Sequence, residues 1–202
     1  MKTSKLIFIA IAVIIVGYVI YTVATRPTYN LEAGERPFKG RADASIIIDE
    51  YSDFQCPACR SAAPLLTYLD EQYGANIRIN YNHFPLRSIH PNAYPSALAA
   101  ECANDQGKFW EMHDFIFGYQ DAGQSKANLR LAATDAELDL AQYDACVATK
   151  ARKSVVDEDL SEASALGLGS TPSFLYNGVY VQNRGEIESM IRRDLGLPEL
   201  EQ

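Results

Sequence analysis

Cysteine and basic residues are both scarce in this chain. Four cysteines in 202 residues are too few for a small scaffold that depends on many disulfides. Lysine and arginine number 18 against 26 acidic residues, which gives a formal net charge of -8. Binding to nucleic acid requires clustered cations, so this balance argues against it. No internal repeat, low-complexity tract or phosphate-binding glycine loop is present, and 48% hydrophobic residues indicate one ordinary domain with an appended segment.

The appended segment is residues 1–25, which we predict to be a transmembrane signal anchor. Leu6 to Thr25 carries no charge, and as a helix it spans about 30 Å, the thickness of the hydrocarbon core of a bilayer. Lysines precede it, so its N-terminus is expected in the cytoplasm and the rest in the periplasm or extracellular space. The alternative is a signal peptide cleaved after the small residues at 22–24. Both alternatives export the domain.

Residues 26–41 contain prolines and glycines with little apolar periodicity, which predicts a tether. Next, 42–90 reads as an α/β unit: a strand over 45–51, a helix over 57–73 and a strand over 76–84. The helix is predicted to end at a glycine that follows its last residue.

The stretch 91–166 has no strand signal, and we predict an all-helical insertion. The predicted helices are 93–103, 108–119, 126–133, 136–148 and 151–165. Residues 167–202 return to the sheet, because Asn177-Gly178 between two short apolar runs is a strong hairpin signal. A final helix is predicted over 186–195. One α/β domain is therefore split around a helical insertion.

The Cys-x-x-Cys pair Cys56 and Cys59 carries the clearest chemistry. Pro57 suits the first turn of a helix and places Cys56 at its N-cap, where unpaired N–H groups and the helix dipole lower the pKa of a thiol. Cys59 lies one turn on and can close a disulfide with it. Alternatives are an inert disulfide or half a zinc site. We predict no metal, because the remaining candidate ligands show no second paired spacing: Cys102, Cys146, His83, His90 and His113.

Several motifs in order resemble one family. They are Glu50 to Cys59, Pro64 beyond the second cysteine, His90 to Ala93, Ala100 to Ala103, Gly107 to Glu111, and Thr171-Pro172 before the hairpin. Together they resemble the DsbA-like thiol-disulfide oxidoreductases of the thioredoxin superfamily, in their membrane-anchored or secreted forms. The resemblance covers about 41–197. It implies a thioredoxin-like α/β fold with an inserted all-helical domain.

The resemblance also implies roles for site residues. Cys56 is expected to be the nucleophile that forms mixed disulfides with a substrate, and Cys59 the thiol that resolves them. The redox-active disulfide between them replaces any cofactor. Pro172 is expected in the cis form in a loop opposite the active site, with Thr171 offering backbone groups to a substrate peptide. For the dipeptide alone, an ordinary trans peptide at the start of a strand is the alternative.

Glu50 matches the family position of a buried acid beneath the disulfide, where desolvation raises the pKa of a carboxyl and lets it relay the proton of Cys59. The alternative is a glutamate at the end of a strand that points to water. Ala58 departs from the family, since the most oxidising members carry a histidine there. An alanine removes one source of thiolate stabilisation, so we predict a less oxidising potential than theirs.

Cys102 and Cys146 lie on separate predicted helices. In an oxidising compartment we predict a structural disulfide between them. The alternatives are a second redox pair or two buried free thiols. Aromatic residues over 109–117 are interpreted as core rather than a cofactor site, and the three histidines as local hydrogen-bonding residues.

The predicted activity is thiol-disulfide exchange on exported proteins that contain cysteines, in the direction that forms disulfides. A membrane-embedded partner must then reoxidise the chain, and the resemblance implies a quinone-linked oxidase. We expect a monomer. One alternative is a reductase or isomerase of the same fold, which takes its electrons from a membrane donor. Another is a chaperone or binding module whose cysteines are incidental.

Overall fold

The computed structural model describes residues 11–12, 14–18 and 36–199. Residues 11–12 and 14–18 are helical and belong to a separate unit from the rest of the chain. Most of the predicted anchor, 1–25, lies outside the described residues. Within the part of the chain that is described, no helix is both long and apolar enough to cross a membrane.

Five strands form one sheet in the order β1-β3-β2-β4-β5. They are β1 (Phe38–Gly40), β2 (Ile46–Ser52), β3 (Ile77–His83), β4 (Ser173–Tyr176) and β5 (Val179–Val181). β2 and β3 are parallel, and every other pair of neighbours is antiparallel. The prediction of a tether over 26–41 is wrong at its end, because β1 adds three residues to the edge of the sheet. β1 has no recognisable strand pattern in its sequence, because it is held at the edge of the sheet by hydrogen bonds to β3.

Eight α-helices of 36–199 surround this sheet. They are α1 (Pro57–Arg60), α2 (Ala63–Tyr73), α3 (Ala93–Asn104), α4 (Phe109–Gly118), α5 (Lys126–Asp135), α6 (Leu140–Thr149), α7 (Lys153–Ala165) and α8 (Ile187–Asp194). Two short 3-10 helices, Gln120–Ala122 and Arg184–Glu186, precede α5 and α8. The single helix predicted over 57–73 is therefore two helices. Pro64 explains the break, because it has no N–H to donate to the Arg60 carbonyl and its ring collides with that group.

The two faces of the sheet are covered by different helices. Ile48 of β2 and Ile79 of β3 share a buried cluster with residues of α2 and α8, including Leu66 and Ile191. On the opposite face, Tyr51 of β2 packs in a cluster with Ala163 of α7. The last helix predicted within the insertion thus packs against the sheet as well as against α3.

The remaining helices form a layer over the end of the sheet where β2 leads into α1. α3 is its centre, and ten of its residues are buried. α6 begins at Leu140 rather than at the predicted 136, because the Asp139 carboxylate accepts the N–H groups of Ala141 and Gln142 and caps the helix there. Phe54 and Tyr81 extend from the sheet side into the core of this layer.

The predicted hairpin is present as β4 and β5. Its turn residues Asn177 and Gly178 both have positive φ, 47° and 78°, as a two-residue hairpin turn requires. β4 pairs with β2, which places the segment before β4 beside the segment after β2. These two segments contain Thr171-Pro172 and Cys56.

Candidate active site

Cys56 is the N-cap of α1, with an extended backbone and Pro57 as the first helical residue. Its pKa is lowered to about 5. The largest cause is a hydrogen bond from the Cys59 thiol. The nearby Thr171 side chain and the N–H groups of Cys59 and Ala58 lower the pKa further, and burial acts in the opposite direction. Cys56 is 8% exposed and Cys59 is 0% exposed. Only the first sulfur can therefore meet another molecule.

The pKa of Cys59 is raised rather than lowered. Burial is the largest cause, and the hydrogen bond to Cys56 and the charge of Glu50 raise it further. The Asp53 N–H donates to the Cys59 sulfur at 3.4 Å. Both cysteines are free thiols, so the structure represents the reduced form. The pair thus combines a low-pKa sulfur at the surface with a protonated one beneath it.

The loop at Thr171 and Pro172 faces the first cysteine. The peptide bond between these two residues is cis. The Cys56 sulfur lies 3.3 Å from the Thr171 carbonyl oxygen. The Thr171 hydroxyl is buried and has no hydrogen-bond partner among the described residues. A substrate peptide that approaches the Cys56 sulfur therefore comes close to this loop.

Glu50 is 1% exposed, so it does not point to water. Burial raises its pKa to about 8, and the nearby Ser52 side chain and the charge of Arg184 act in the opposite direction. Glu50 is paired in register with Tyr81 of β3. A carboxyl with this pKa can accept or donate a proton near neutral pH.

The loop before Cys56 is held by contacts that the sequence did not indicate. The buried Asp53 carboxylate accepts the N–H groups of Gln55 and Leu86, both at 2.7 Å, and lies 2.8 Å from His90 Nδ1. The Gln120 side chain donates to the Phe54 and Cys56 carbonyls at 2.9 and 3.2 Å. Apart from the contact between Asp53 and Gln55, which are two positions apart, the partners are separated by 33 to 66 positions, so no local pattern could reveal that they meet.

The other predicted site residues lie away from the reacting sulfurs. Cys102 of α3 and Cys146 of α6 form a disulfide with a Cα–Cα distance of 5.8 Å. His83 contacts the buried Glu101 carboxylate at 2.9 Å. His83 and His113 pack among aromatic rings that include Phe54, Tyr81 and Phe109. Phe109, Phe117 and the partly buried Trp110 therefore belong to the core of the helical layer. The prediction is wrong for Phe115, which is 36% exposed.

The chain has relatives among proteins of known sequence. The thioredoxin family profile matches residues 32–192. A Na(+)/H(+) antiporter NhaA 1 of Mycolicibacterium vanbaalenii is 35% identical over 156 residues, which are 76% of this chain and 25% of that protein. One of Salinispora arenicola is 37% identical over 141 residues, 69% of this chain and 21% of that protein. The chain thus spans a quarter or less of these relatives.

Solved structures give the same fold. A thioredoxin-like oxidoreductase from Silicibacter pomeroyi matches with a TM-score of 0.71 at 21% identity, over 84% of this chain and 99% of that one. Oxidised BdbD from Bacillus subtilis matches with a TM-score of 0.71 at 18% sequence identity, over 82% of this chain and 95% of that one. DsbA2 from Pseudomonas aeruginosa matches with a TM-score of 0.65 at 24% sequence identity, over 81% of this chain and 96% of that one. The chain therefore belongs to the thioredoxin family and has the fold of its DsbA-like thiol-disulfide oxidoreductases.

Proposed function

We propose that this chain forms disulfides in exported proteins, with Cys56 and Cys59 as its redox centre. The observation that carries the proposal is the contrast between the two sulfurs. The pKa of Cys56 is lowered to about 5, whereas burial raises that of Cys59. A low-pKa thiolate is a good leaving group and stabilises the reduced form, and both properties favour an oxidant of other thiols.

The reaction begins with the disulfide form. A substrate thiolate attacks the Cys56 sulfur, the bond between Cys56 and Cys59 breaks, and Cys59 leaves and takes up a proton. A second substrate thiolate then attacks the substrate sulfur of the mixed disulfide and displaces Cys56 as a thiolate. The substrate gains a disulfide, and the chain keeps the two electrons as its dithiol. Glu50 supplies the proton that Cys59 takes up, because its pKa is raised to about 8.

Thr171 and Pro172 form the loop along which the substrate lies. The Thr171 carbonyl is within 3.3 Å of the reacting sulfur, so its backbone can position an extended peptide there. Pro172 has no N–H that could compete for the sulfur. The substrates are exported proteins with free cysteines.

Several features support an extracytoplasmic site of action. Residues 6–25 carry no charge and follow two lysines, and the disulfide between Cys102 and Cys146 suits an oxidising compartment. We place the chain at the cell membrane, with the N-terminus in the cytoplasm and the redox domain outside. A membrane-embedded, quinone-linked oxidase accepts the two electrons and restores the disulfide.

The reduction potential of the Cys56–Cys59 pair tests this direction. The full chain is equilibrated with glutathione buffers, and free thiols are counted by mass spectrometry. A potential near or above about -180 mV supports the oxidase, whereas one near or below about -250 mV favours a reductase or isomerase. A chain without exchange, or a Cys56→Ala, Cys59→Ala variant with full activity, contradicts both and favours a binding module.

A further inference from the structure

Four buried polar atoms lie on one face of the sheet beneath the active-site cysteines without hydrogen-bond partners among the described residues. They are Glu50 Oε2, Ser52 Oγ, Tyr81 Oη and His83 Nδ1. Their residues are at most 1% exposed. Such atoms are few in native proteins, and each costs about 1–3 kcal/mol. Four of them on neighbouring strands call for a reason other than stability.

Their positions on the strands bring them to one face. Glu50 and Ser52 are two residues apart on β2, so their side chains point the same way. On β3, Tyr81 is paired in register with Glu50, and His83 is paired with Ser52. The N–H of Asp53, the residue after Ser52, donates to the Cys59 sulfur. Ser52 therefore lies along the strand between the reacting sulfur and the buried carboxyl.

We propose that the Ser52 hydroxyl carries the proton between Cys59 and Glu50, and that the Tyr81 hydroxyl positions the Glu50 carboxyl for this transfer. The inference rests on the proposed function and names a residue that the family motif does not assign. A hydroxyl suits this task because it donates and accepts at once. Consistent with this placement, the Ser52 side chain is near enough to both groups to lower the pKa of Glu50 and of Cys59.

The proton balance is clearest when a mixed disulfide is resolved. The Cys59 thiol gives its proton to Ser52 Oγ while Ser52 gives its own to the Glu50 carboxylate. The resulting Cys59 thiolate attacks the Cys56 sulfur, a bond forms between these two sulfurs, and the partner leaves as a thiolate. When a substrate is oxidised, the same protons move in reverse.

A single-turnover reaction with dithiobis(nitrobenzoate) separates the two cysteines. Attack by Cys56 releases one coloured thiolate at a rate proportional to reagent concentration, and attack by Cys59 then releases the second at a rate independent of it. In the full-length wild type, the second phase should rise with pH to half its maximum near pH 8, the pKa of Glu50. We expect Ser52→Ala to slow this phase about tenfold or more and flatten its pH profile, and to change the first less than about twofold.

Ser52→Thr is the matched control, because it keeps the hydroxyl and should restore the second phase to within about threefold. Tyr81→Phe keeps the ring and should slow the second phase alone, so it tests the proposal even if position 52 tolerates no change. A second phase within about twofold of the wild type in Ser52→Ala at every pH overturns the proposal. So does a Thr variant as slow as the Ala variant. A wild type with no first phase refutes the proposed function and this inference with it.

A second inference concerns a cleft in the helical layer, on α3, α5 and α6. Its volume is about 940 Å³, at the upper end of small-molecule sites. Apolar side chains line it, among them Leu98, Leu129 and Val147. So do four cations and one carboxylate: Arg87, Lys126, Arg130, Lys150 and Asp144. In a chain of net charge -8 this local excess of cations is unusual.

Most of these cations have no carboxylate partner. Arg130 pairs with Asp144 at 3.1 Å, and Arg87 lies over the ring of Tyr94. Among the described residues, Lys126 and Lys150 make no salt bridge within 4.0 Å. We infer that the cleft binds a small organic anion whose apolar body covers Leu129 and its neighbours while its charge meets the two lysines.

Naphthalene sulfonate and a naphthyl trimethylammonium ion are suitable probes, because they differ in charge on a similar ring. Binding is followed from amide chemical shifts of α5 and α6 in the full chain in neutral nanodiscs. We expect saturable shifts with the sulfonate alone, and affinity about tenfold weaker in Lys126→Glu, Lys150→Glu. Arg41→Glu, Arg193→Glu, with the same charge change on exposed residues outside the cleft, is the control. No sulfonate binding, equal binding of the cation, or equal weakening in the control overturns the inference.

Discussion

The Cys56 sulfur and the Thr171 carbonyl oxygen are 3.3 Å apart, although 115 positions separate these residues in the chain. The contact exists because β4 pairs with β2, so the segment that leads into β4 meets the segment that leaves β2. The Thr171 hydroxyl is buried at the same place and has no hydrogen-bond partner among the described residues. It is therefore available to stabilise the Cys56 thiolate.

Thr171→Val removes this hydroxyl and keeps the shape of the side chain. We expect the pKa of Cys56 to rise from about 5, by a modest amount because the Cys59 hydrogen bond remains. The measurement is the rate of alkylation of Cys56 by iodoacetamide against pH. Thr171→Ser, which keeps the hydroxyl, should retain the wild-type pKa. An unchanged pKa in the Val variant would show that the hydroxyl does not reach the thiolate.

Glu50 makes stability depend on pH. Burial raises its pKa from an ordinary 4.5 to about 8, so the unfolded chain releases this proton first as pH rises. The contribution of Glu50 to folding stability is thus fully present below pH 4.5 and is lost as the pH rises to about 8. At pH 7 this loss lowers the free energy of unfolding by on the order of 3 kcal/mol. We expect Glu50→Gln to be more stable than the wild type at pH 8 by about 4 kcal/mol, because the loss continues to grow between pH 7 and pH 8.

Chemical denaturation of both proteins from pH 4.5 to pH 8 measures this effect. Because Asp159 is also buried and its pKa is raised to about 6, the wild type alone cannot isolate Glu50, and the difference between the two proteins does. Parallel stability curves for wild type and Glu50→Gln over this range would contradict a buried, ionisable Glu50.

Local patterns predicted a large part of this fold. Asn177-Gly178 specified the hairpin because a two-residue turn with positive φ needs no distant partner. Pro57 likewise placed Cys56 at the N-cap of α1. The α8 helix, Ile187–Asp194, lies within the predicted 186–195. In each case neighbouring residues determine the structure.

What the sequence did not reveal depends on contacts between distant segments. The pair of Asp53 and His90 joins positions 37 apart, and β1 forms only because β3 offers it an edge. The break between α1 and α2 is different, since Pro64 carried a local signal for it that the smooth apolar pattern of the following residues obscured. Ser52 was missed because a serine in a strand has no distinctive spacing.

The disulfide between Cys102 and Cys146 should contribute to stability and not to redox chemistry. It closes a loop of 44 positions between α3 and α6, worth about 4 kcal/mol in the chain-entropy description. We expect Cys102→Ala, Cys146→Ala to unfold at a lower denaturant concentration, with the potential of the Cys56–Cys59 pair unchanged within about 10 mV. Exchange of Cys102 and Cys146 with glutathione as fast as that of the active-site pair would instead support a second redox pair.

Ala58 limits how oxidising the chain can be. It is exposed beside Cys56, and its methyl group adds no charge or hydrogen bond to the thiolate. In Ala58→His, a protonated imidazole should lower the pKa of Cys56 below about 5. Each unit of pKa stabilises the reduced form by about 1.4 kcal/mol, which raises the potential by about 30 mV.

Ala58→Phe is the matched control, because it adds a ring without charge. If the imidazolium acts through its charge, the potential of Ala58→His should exceed that of Ala58→Phe, and the excess should shrink above about pH 7.5, where histidine is neutral. Equal potentials in the two variants would mean that the ring and not the charge acts on Cys56. A wild-type Cys56 with a pKa below about 4 would contradict the premise that Ala58 leaves the thiolate incompletely stabilised.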